Sequence, residues 1–435
     1  MNNFNDIIAG KFGGTSNADA GQCKKTADII CANPNMRAII VSAPANVTEL
    51  LLYVYDCIQE GKDWNPAWMK IEQIFVDIIH GLELDQNLLK LVSSVEGMIK
   101  ENPDKDFISK QGEYLQSQIM ADILRSNGKE AIFVDSKDCV FFGVDGEVDE
   151  KKTYAAILEK IPEKGYVVFP GFYGTDVNGK IKTFSRGGSD LTGALVAAAL
   201  HCTFIKWTDV AGIYSSDPKR ILNAKPIREM TYEECRILTH AGAKVFHSNT
   251  FTILSESGVT VWVKDVNNPE APGTRVVPTM NIPAKSLVGV VGDIGFSVLA
   301  VKKMGAHEEK GFGKSILDAL VELEISYAFE LPSGLDISVL AIKTKDLAGR
   351  HEKLIAKIME STKSKSVTIT DNVGVINAIT YQDTDYTDTL TALQRSGIKL
   401  KSKIHAEENG QMIITVAQED TFRAVEIIHD RFFPY

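Results

Sequence analysis

Two glycine-rich stretches hold the residue types from which an anion site is assembled. The first is Lys11-Phe12-Gly13-Gly14-Thr15-Ser16, entered from a short apolar run and left through a helix-like segment, Ala18 to Cys31. Adjacent glycines allow a turn backbone to take φ > 0 and to approach a ligand closely. Backbone N–H groups at a helix start attract anions. Lys11 adds a positive point charge, and Thr15 and Ser16 add hydroxyl donors. The second stretch is Ser185-Arg186-Gly187-Gly188-Ser189-Asp190, followed at once by an alanine-rich helical segment, Leu191 to His201. Arg186 can clamp a carboxylate or phosphate through two parallel hydrogen bonds. Asp190 falls in the first helical turn, where it either caps the helix and complements its dipole or holds a substrate ammonium. A lone Gly-Gly-Thr turn is equally an ordinary strand–helix connection. Two such turns with Lys and Arg in one α/β domain point to a bound polyanion.

Other catalytic patterns are absent. Gly313-Lys314-Ser315 resembles the end of a P-loop, but Glu308 stands where its first glycine belongs. Gly-x-Gly-x-x-Gly is missing after the first strand, and no Gly-x-Ser-x-Gly elbow occurs. The histidines form no His-x-x-x-His pair, so no zinc site is expected. The scattered cysteines lack a Cys-x-x-Cys and read as free thiols of a reducing, cytoplasmic setting. A net charge of -10 argues against nucleic acid as a partner. No apolar run of about 18 residues suggests a membrane span, and the first residues lack a signal-peptide pattern.

The elements that must position these clusters read as alternating strands and helices. Arg37–Ser42 and Tyr166–Pro170 are compact apolar runs of the buried parallel type, and Ala131–Asp135 and Thr203–Trp207 are further strands. Val47–Glu60 has helical spacing with Thr48 near its start, and a mostly helical stretch covers about 68–128. That order predicts an α/β fold with a largely parallel sheet, its site beyond the carboxyl ends of the strands. At 435 residues the chain should hold more than one domain.

Beyond Asn281-Ile282-Pro283 the texture changes to an internal repeat. Leu317, Ala319, Leu320 and Ile325 align with Leu390, Ala392, Leu393 and Ile398 at one constant offset. Each copy reads βαββα, the order of a split, ferredoxin-like unit. Leu287–Val291 and Val367–Thr370 each precede a copy, and either could complete its neighbour's sheet.

Together with Trp207-Thr208-Asp209-Val210-Ala211-Gly212-Ile213-Tyr214, Ser215-Ser216-Asp217-Pro218 and Gly242-Ala243-Lys244-Val245, the two glycine-rich motifs resemble the aspartokinase family in type and order. The repeat resembles that family's paired ACT domains. The resemblance implies an amino-acid-kinase catalytic domain over 1–283, a first ACT domain over 284–366 and a second over 367–435, with a strand near 286–292 able to complete the second sheet. It implies transfer of the γ-phosphate of ATP, with Mg²⁺, to the β-carboxylate of L-aspartate. The product is 4-phospho-L-aspartate, the entry to lysine, threonine and methionine synthesis. A carboxylate with pKa near ~4 is already ionised and needs no general base, so positioning and charge neutralisation should dominate.

Carried over position by position, Lys11, Arg186 and Asp190 are the catalytic candidates. Lys11, Phe12, Gly13, Gly14, Thr208 and Asp209 are assigned to ATP, as are Tyr214, Asp217, Lys219 and Lys244. Thr15, Ser42, Thr48, Glu113 and Phe172 are assigned to aspartate, with Arg186, Gly187, Ser189 and Asp190. Tyr214 either stacks on adenine or is a core tyrosine, and Glu113, taken alone, reads as a solvated helix residue. The repeats imply an allosteric amino acid, lysine or else threonine. Met304, Gly311, Phe312, Tyr327, Ser333 and Asp336 are the contact candidates, and a homodimer or homotetramer through the ACT domains is expected. Asp336 either pairs with a ligand ammonium or is a solvated turn acid. No protein residue is assigned to a metal.

The sequence departs from the family at several points. Lys219 stands where arginine is common, Ala45-Asn46 where a Gly-Lys pair is frequent, and Ser248 follows His247 where proline is usual. Thr380-Tyr381-Gln382-Asp383-Thr384 replaces the usual glycine-rich turn of the second repeat, which puts a ligand site there in doubt. The competing readings are a glutamate or acetylglutamate kinase and a non-catalytic amino-acid sensor. The tandem repeats and Ser-Arg-Gly-Gly-Ser-Asp argue against the first, and Lys11, Arg186 and Asp190 together argue against the second.

Overall fold

The computed structural model describes residues 6–185, 187–240, 246, 248–278, 289–331, 336–379, 387–401, 405–406 and 411–433. The chain forms two compact units. Met1–Ile213, Pro226–Cys235 and Val245–Met280 make the first; Tyr214–Lys225, Arg236–Lys244 and Asn281–Tyr435 make the second.

The first unit is built on an eight-stranded sheet. Its strands are β1 (Ile8–Phe12), β2 (Ala38–Val41), β3 (Ala131–Phe133), β4 (Tyr166–Pro170), β7 (Thr203–Thr208), β8 (Glu229–Thr231), β9 (Val261–Asp265) and β10 (Thr274–Val277). A separate hairpin joins β5 (Tyr173–Thr175) to β6 (Ile181–Thr183). The sheet order is β3-β4-β2-β1-β7-β9-β10-β8, parallel throughout except between β9 and β10. β2 and β4 are unbroken apolar runs with every residue buried, as expected of parallel strands covered on both faces. β1 lies between β2 and β7, so the strand order reverses at its carboxyl end, where open α/β sheets form their ligand crevice. Lys11 is there.

The first turn differs from the sequence expectation. Gly13 is extended (φ -76°, ψ 175°), and neither glycine has positive φ. A 3-10 turn, Gly14–Asn17, intervenes before the helix Ala20–Ala32, whose start is capped by Asp19 accepting from the Gln22 N–H at 2.9 Å. The helix dipole is therefore spent on Asp19. Gly14 answers a packing need instead: a Cβ there would sit 3.0 Å from the Ala43 carbonyl oxygen, whereas a Cβ at Gly13 would meet nothing nearer than 3.8 Å.

In the second unit, β11 (Gly289–Lys302), β12 (Phe329–Leu331), β13 (Ile337–Lys343), β14 (Ser366–Ile379), β15 (His405–Ala406) and β16 (Gln411–Ala417) form one antiparallel sheet. Its order is β12-β13-β11-β14-β16-β15. The unassigned sixth strands are answered here. β11 and β14 pair along almost their whole length, from Gly289↔Ile379 to Lys302↔Ser366, with irregularities between Asp293 and Val298. The amino-terminal half of each strand lies beside the other repeat's half, so each repeat lends its neighbour a strand. Helices Phe312–Glu322 and His351–Thr362 cover the first repeat around Leu299, Ile316, Leu340 and Ile358. Helices Thr387–Arg395 and Thr421–Phe432 cover the second around Val290, Ile376, Leu393 and Ile428.

Candidate active site

Lys11 is the penultimate residue of β1, and its side chain is only 10% exposed. Its Nζ lies 2.7 Å from Asp190 Oδ1. Asp190 belongs to the helix Gly188–Leu200, which packs against β1. Gly187, at φ 61°, precedes that helix and offers its first amides no side-chain cap. Asp190 caps nothing; its carboxylate turns to cations. The second is Lys206 of β7, whose Nζ donates to Oδ2 at 2.8 Å. Burial alone would raise the Asp190 carboxyl. The ammoniums of Lys11 and Lys206 more than reverse that and hold it down at about 2.

The Lys11 turn is held from behind. Asn17, fully buried, donates from Nδ2 to the Gly13 carbonyl at 2.9 Å, and its Oδ1 accepts from Gln116 Nε2 at 3.3 Å. Gln116 and Glu113 share the helix Gln111–Ser126. Gly112 lets that helix sit against the Ser42-Ala43-Pro44 turn, since a Cβ there would lie 2.6 Å from Ala43 Cβ. The close fit buries Glu113, with 4% exposure, and burial pushes its carboxyl up to about 8 despite the Ala43 backbone hydrogen bond. The surface reading of Glu113 does not hold.

Between these elements lies an open cleft of about 420 Å³. Lys11 and Gly14 line it from the first turn, Ser42 and Thr48 from the segment after β2, and Glu113 from its helix. Phe172, Gly187, Ser189 and Asp190 close the other side. Glu49 and Asn46 also line it; Asn46 was named in the sequence only as part of the Ala45-Asn46 departure, and Glu49 not at all.

The remaining described candidates sit in their own elements. Phe12 is fully buried and stacks on Trp207 at 5.9 Å. Gly13 is at the turn with Lys11, and Thr15 is exposed in the 3-10 turn. Thr208 ends β7, its hydroxyl donating to Asp209 at 3.2 Å. Tyr214, Asp217 and Lys219 belong to the second unit. There Tyr214 is half-buried, and Asp217 accepts from the Lys219 N–H at 2.9 Å and pairs with Arg220 at 3.5 Å. Arg186, Lys244 and Ser333, with His247 and the Thr380–Thr384 stretch, lie outside the described residues.

In the first repeat, Gly311 (φ 87°) precedes the helix that Phe312 opens, Met304 is 95% exposed and Tyr327 is exposed. Asp336 does not point freely to solvent. Its Oδ1 lies 2.7 Å from His307 Nδ1, and that hydrogen bond lowers its pKa.

The site thus joins a phosphate-compatible turn, a paired lysine–aspartate cluster and a substrate-sized cleft in one α/β unit, the equipment of a small-molecule kinase. Residues 6–265 match the amino acid kinase family. The aspartate kinase of Clostridium acetobutylicum is 31% identical in sequence and superposes with a TM-score of 0.84, over 98% of this chain and 99% of that one. Aspartokinase 3 of Bacillus subtilis (strain 168) is 28% identical over 97% of this chain and 98% of its own length. Lysine-sensitive aspartokinase 3 of Escherichia coli (strain K12) is 29% identical over 86% and 87% respectively. The chain belongs to the amino acid kinase family and, within it, to the aspartokinases. Among the described residues no helix is long and apolar enough to cross a membrane.

Proposed function

We propose that the chain transfers the γ-phosphate of ATP to the β-carboxylate of L-aspartate, giving 4-phospho-L-aspartate at the entry to lysine, threonine and methionine synthesis. The observation that carries this reading is the Lys11–Asp190–Lys206 cluster in a cleft that Glu113 also lines. The acceptor carboxylate is a nucleophile at neutral pH, so the barrier is the approach of two anions. Lys11 meets the charge on the transferring phosphoryl group. The Gly13 and Gly14 amides and the uncapped start of Gly188–Leu200 receive phosphate or carboxylate oxygens. Arg186 clamps a substrate carboxylate, and Thr48, Ser189 and Glu113 hold the rest of the amino acid. An ammonium beside Glu113 favours its ionised form, so binding expels the proton that burial retains.

No cluster of three or more His, Cys, Asp or Glu side chains suited to a metal occurs among the described residues. Asp190 is also committed to two lysines. The nucleotide's phosphates, not the chain, would carry Mg²⁺, which supplies charge neutralisation when bound.

The catalytic domain is assigned to 1–283 and the ACT domains to 284–366 and 367–435. Lysine is the proposed inhibitor, supported by the lysine sensitivity in the name of the E. coli relative. Its site is placed around Met304, Gly311, Phe312, Tyr327, Ser333 and Asp336, in a homodimer or homotetramer. A coupled assay with ATP and Mg²⁺, offering aspartate, glutamate or acetylglutamate, tests the activity. Aspartate should be the preferred acceptor, and glutamate turnover without aspartate turnover would overturn the reading.

A further inference from the structure

One member of the Lys11–Asp190–Lys206 cluster, Lys206, has no individual role assigned so far. Lys206 lies in a strand that is otherwise apolar and aromatic around it, Phe204-Ile205-Lys206-Trp207. β1 and β7 run parallel as neighbours, and Lys11 and Lys206 are partners in register. Their side chains are 10% and 14% exposed. Two ammoniums opposite one another on adjacent strands repel, and burial raises the cost of each. The arrangement persists because Asp190 takes one lysine on each oxygen: Oδ1 faces Lys11 and Oδ2 accepts from Lys206. The trio carries a net charge of one positive unit.

The two lysines are not equivalent. Lys11 lines the cleft, whereas Lys206 does not. Lys206 sits behind Asp190 with its ammonium 4.7 Å from the Phe246 ring centre, and Cys235 also faces it electrostatically. We infer that Lys206 is a positioning residue for phosphoryl transfer: it anchors Asp190 from behind, so that Asp190 aims Lys11 and can release it to the phosphoryl oxygens.

The physical need is specific. A buried carboxylate that loses its only counter-ion is strongly destabilised. If Lys11 were the sole partner of Asp190, each turn toward the nucleotide would leave that carboxylate unpaired. With Lys206 on the other oxygen, Asp190 stays ionised and fixed while Lys11 shifts its charge forward. Lys206 thus acts through Asp190 and touches neither substrate. A purely structural Lys206 would neutralise Asp190 during folding without affecting turnover.

This inference rests on the proposed phosphotransfer, and its test uses whichever acceptor the acceptor assay shows to be best, so that a wrong acceptor leaves it intact. The experiment measures kcat, the KM values for acceptor and ATP, and thermal midpoints for wild type, Lys206→Met, Lys206→Arg, Asp190→Asn and Lys206→Met with Asp190→Asn. Lys206→Met should lower kcat about 10- to 100-fold while the acceptor KM stays within about 3-fold. Lys206→Arg should recover most of the loss. The double variant should be no slower than Asp190→Asn alone, because both act as one unit. Should Lys206→Met fail to fold, Lys206→Gln takes its place in the cycle. Wild-type kcat in Lys206→Met or Lys206→Gln would overturn the inference, as would independent losses that multiply in the double variant.

Discussion

At the scale of single residues, the cleft works by setting two carboxyls apart. Asp190 is held down at about 2 by two ammoniums, and Glu113 is pushed up to about 8 by burial. For Glu113 the folded state holds its proton more tightly than the unfolded chain, whose value is near 4.5. The neutral group therefore costs nothing below about pH 4.5, and stability is lost as pH rises through about 8. Glu113→Gln removes that dependence. Its unfolding free energy should gain on wild type steadily from pH 5 to pH 8, by about 1–3 kcal/mol at the upper end; a constant offset between the two would refute the shifted carboxyl. Asp190 runs the other way. Its contribution is complete above about 3.8 and is lost as pH falls toward 2. Aspartate binding should also release a proton below about pH 8 if Glu113 receives the ammonium, which calorimetry in buffers of different ionisation enthalpy would detect. Equal heats in all buffers at pH 7 would move the ammonium elsewhere.

At the scale of elements, the site depends on how closely a helix can approach a turn. Gly112→Ala would place a methyl 2.6 Å from Ala43 Cβ and 3.1 Å from Val47 Cγ1. The helix must shift and carry Glu113 with it. We expect a loss of about 1–3 kcal/mol in stability and a raised aspartate KM, and unchanged values of both would show that the packing is slack. These elements also mark how far the sequence could be read. Lys11 and Asp190 were legible because motif residues gather at strand ends and helix starts, where parallel sheets keep their sites; Glu113 came only through the family resemblance, since its burial depends on how closely its helix meets the Ala43 turn. Lys206 was not, because one lysine in an apolar strand carries no signal until β7 is placed beside β1. Asn17 and Gln116 escaped for the same reason: they matter through each other. The glycine pair was read for its freedom, but at Gly14 the structure uses the lack of a side chain.

At the scale of the whole chain, the C-terminal repeats share strands and so form one folding unit. The repeat itself was legible from its constant offset. The exchange of strands was open in the sequence, where Leu287–Val291 and Val367–Thr370 could each complete the neighbouring sheet; that each is one half of a long continuous strand was not legible, because β11 and β14 run through polar and glycine positions that read as breaks. A chain ending at Lys365 would remove β14 from its place between β11 and β16. That exposes the full length of β11 as an open edge, which invites association. We expect such a fragment to aggregate, and a monodisperse fragment in light scattering would argue that the first repeat closes alone. In the intact protein, lysine should inhibit turnover and Asp336→Ala should weaken that inhibition. Undiminished inhibition in the variant would take Asp336 out of the effector site.

The central claim is that Lys11 meets charge moving from ATP to the carboxylate of aspartate. It is tested most directly by trapping the acyl phosphate with hydroxylamine in wild type and Lys11→Ala, each supplied with ATP, Mg²⁺ and aspartate. Wild type should form aspartyl hydroxamate, and Lys11→Ala should form it about 10²–10⁴-fold more slowly while keeping the wild-type fold by circular dichroism. Hydroxamate formation by Lys11→Ala near the wild-type rate would contradict the claim.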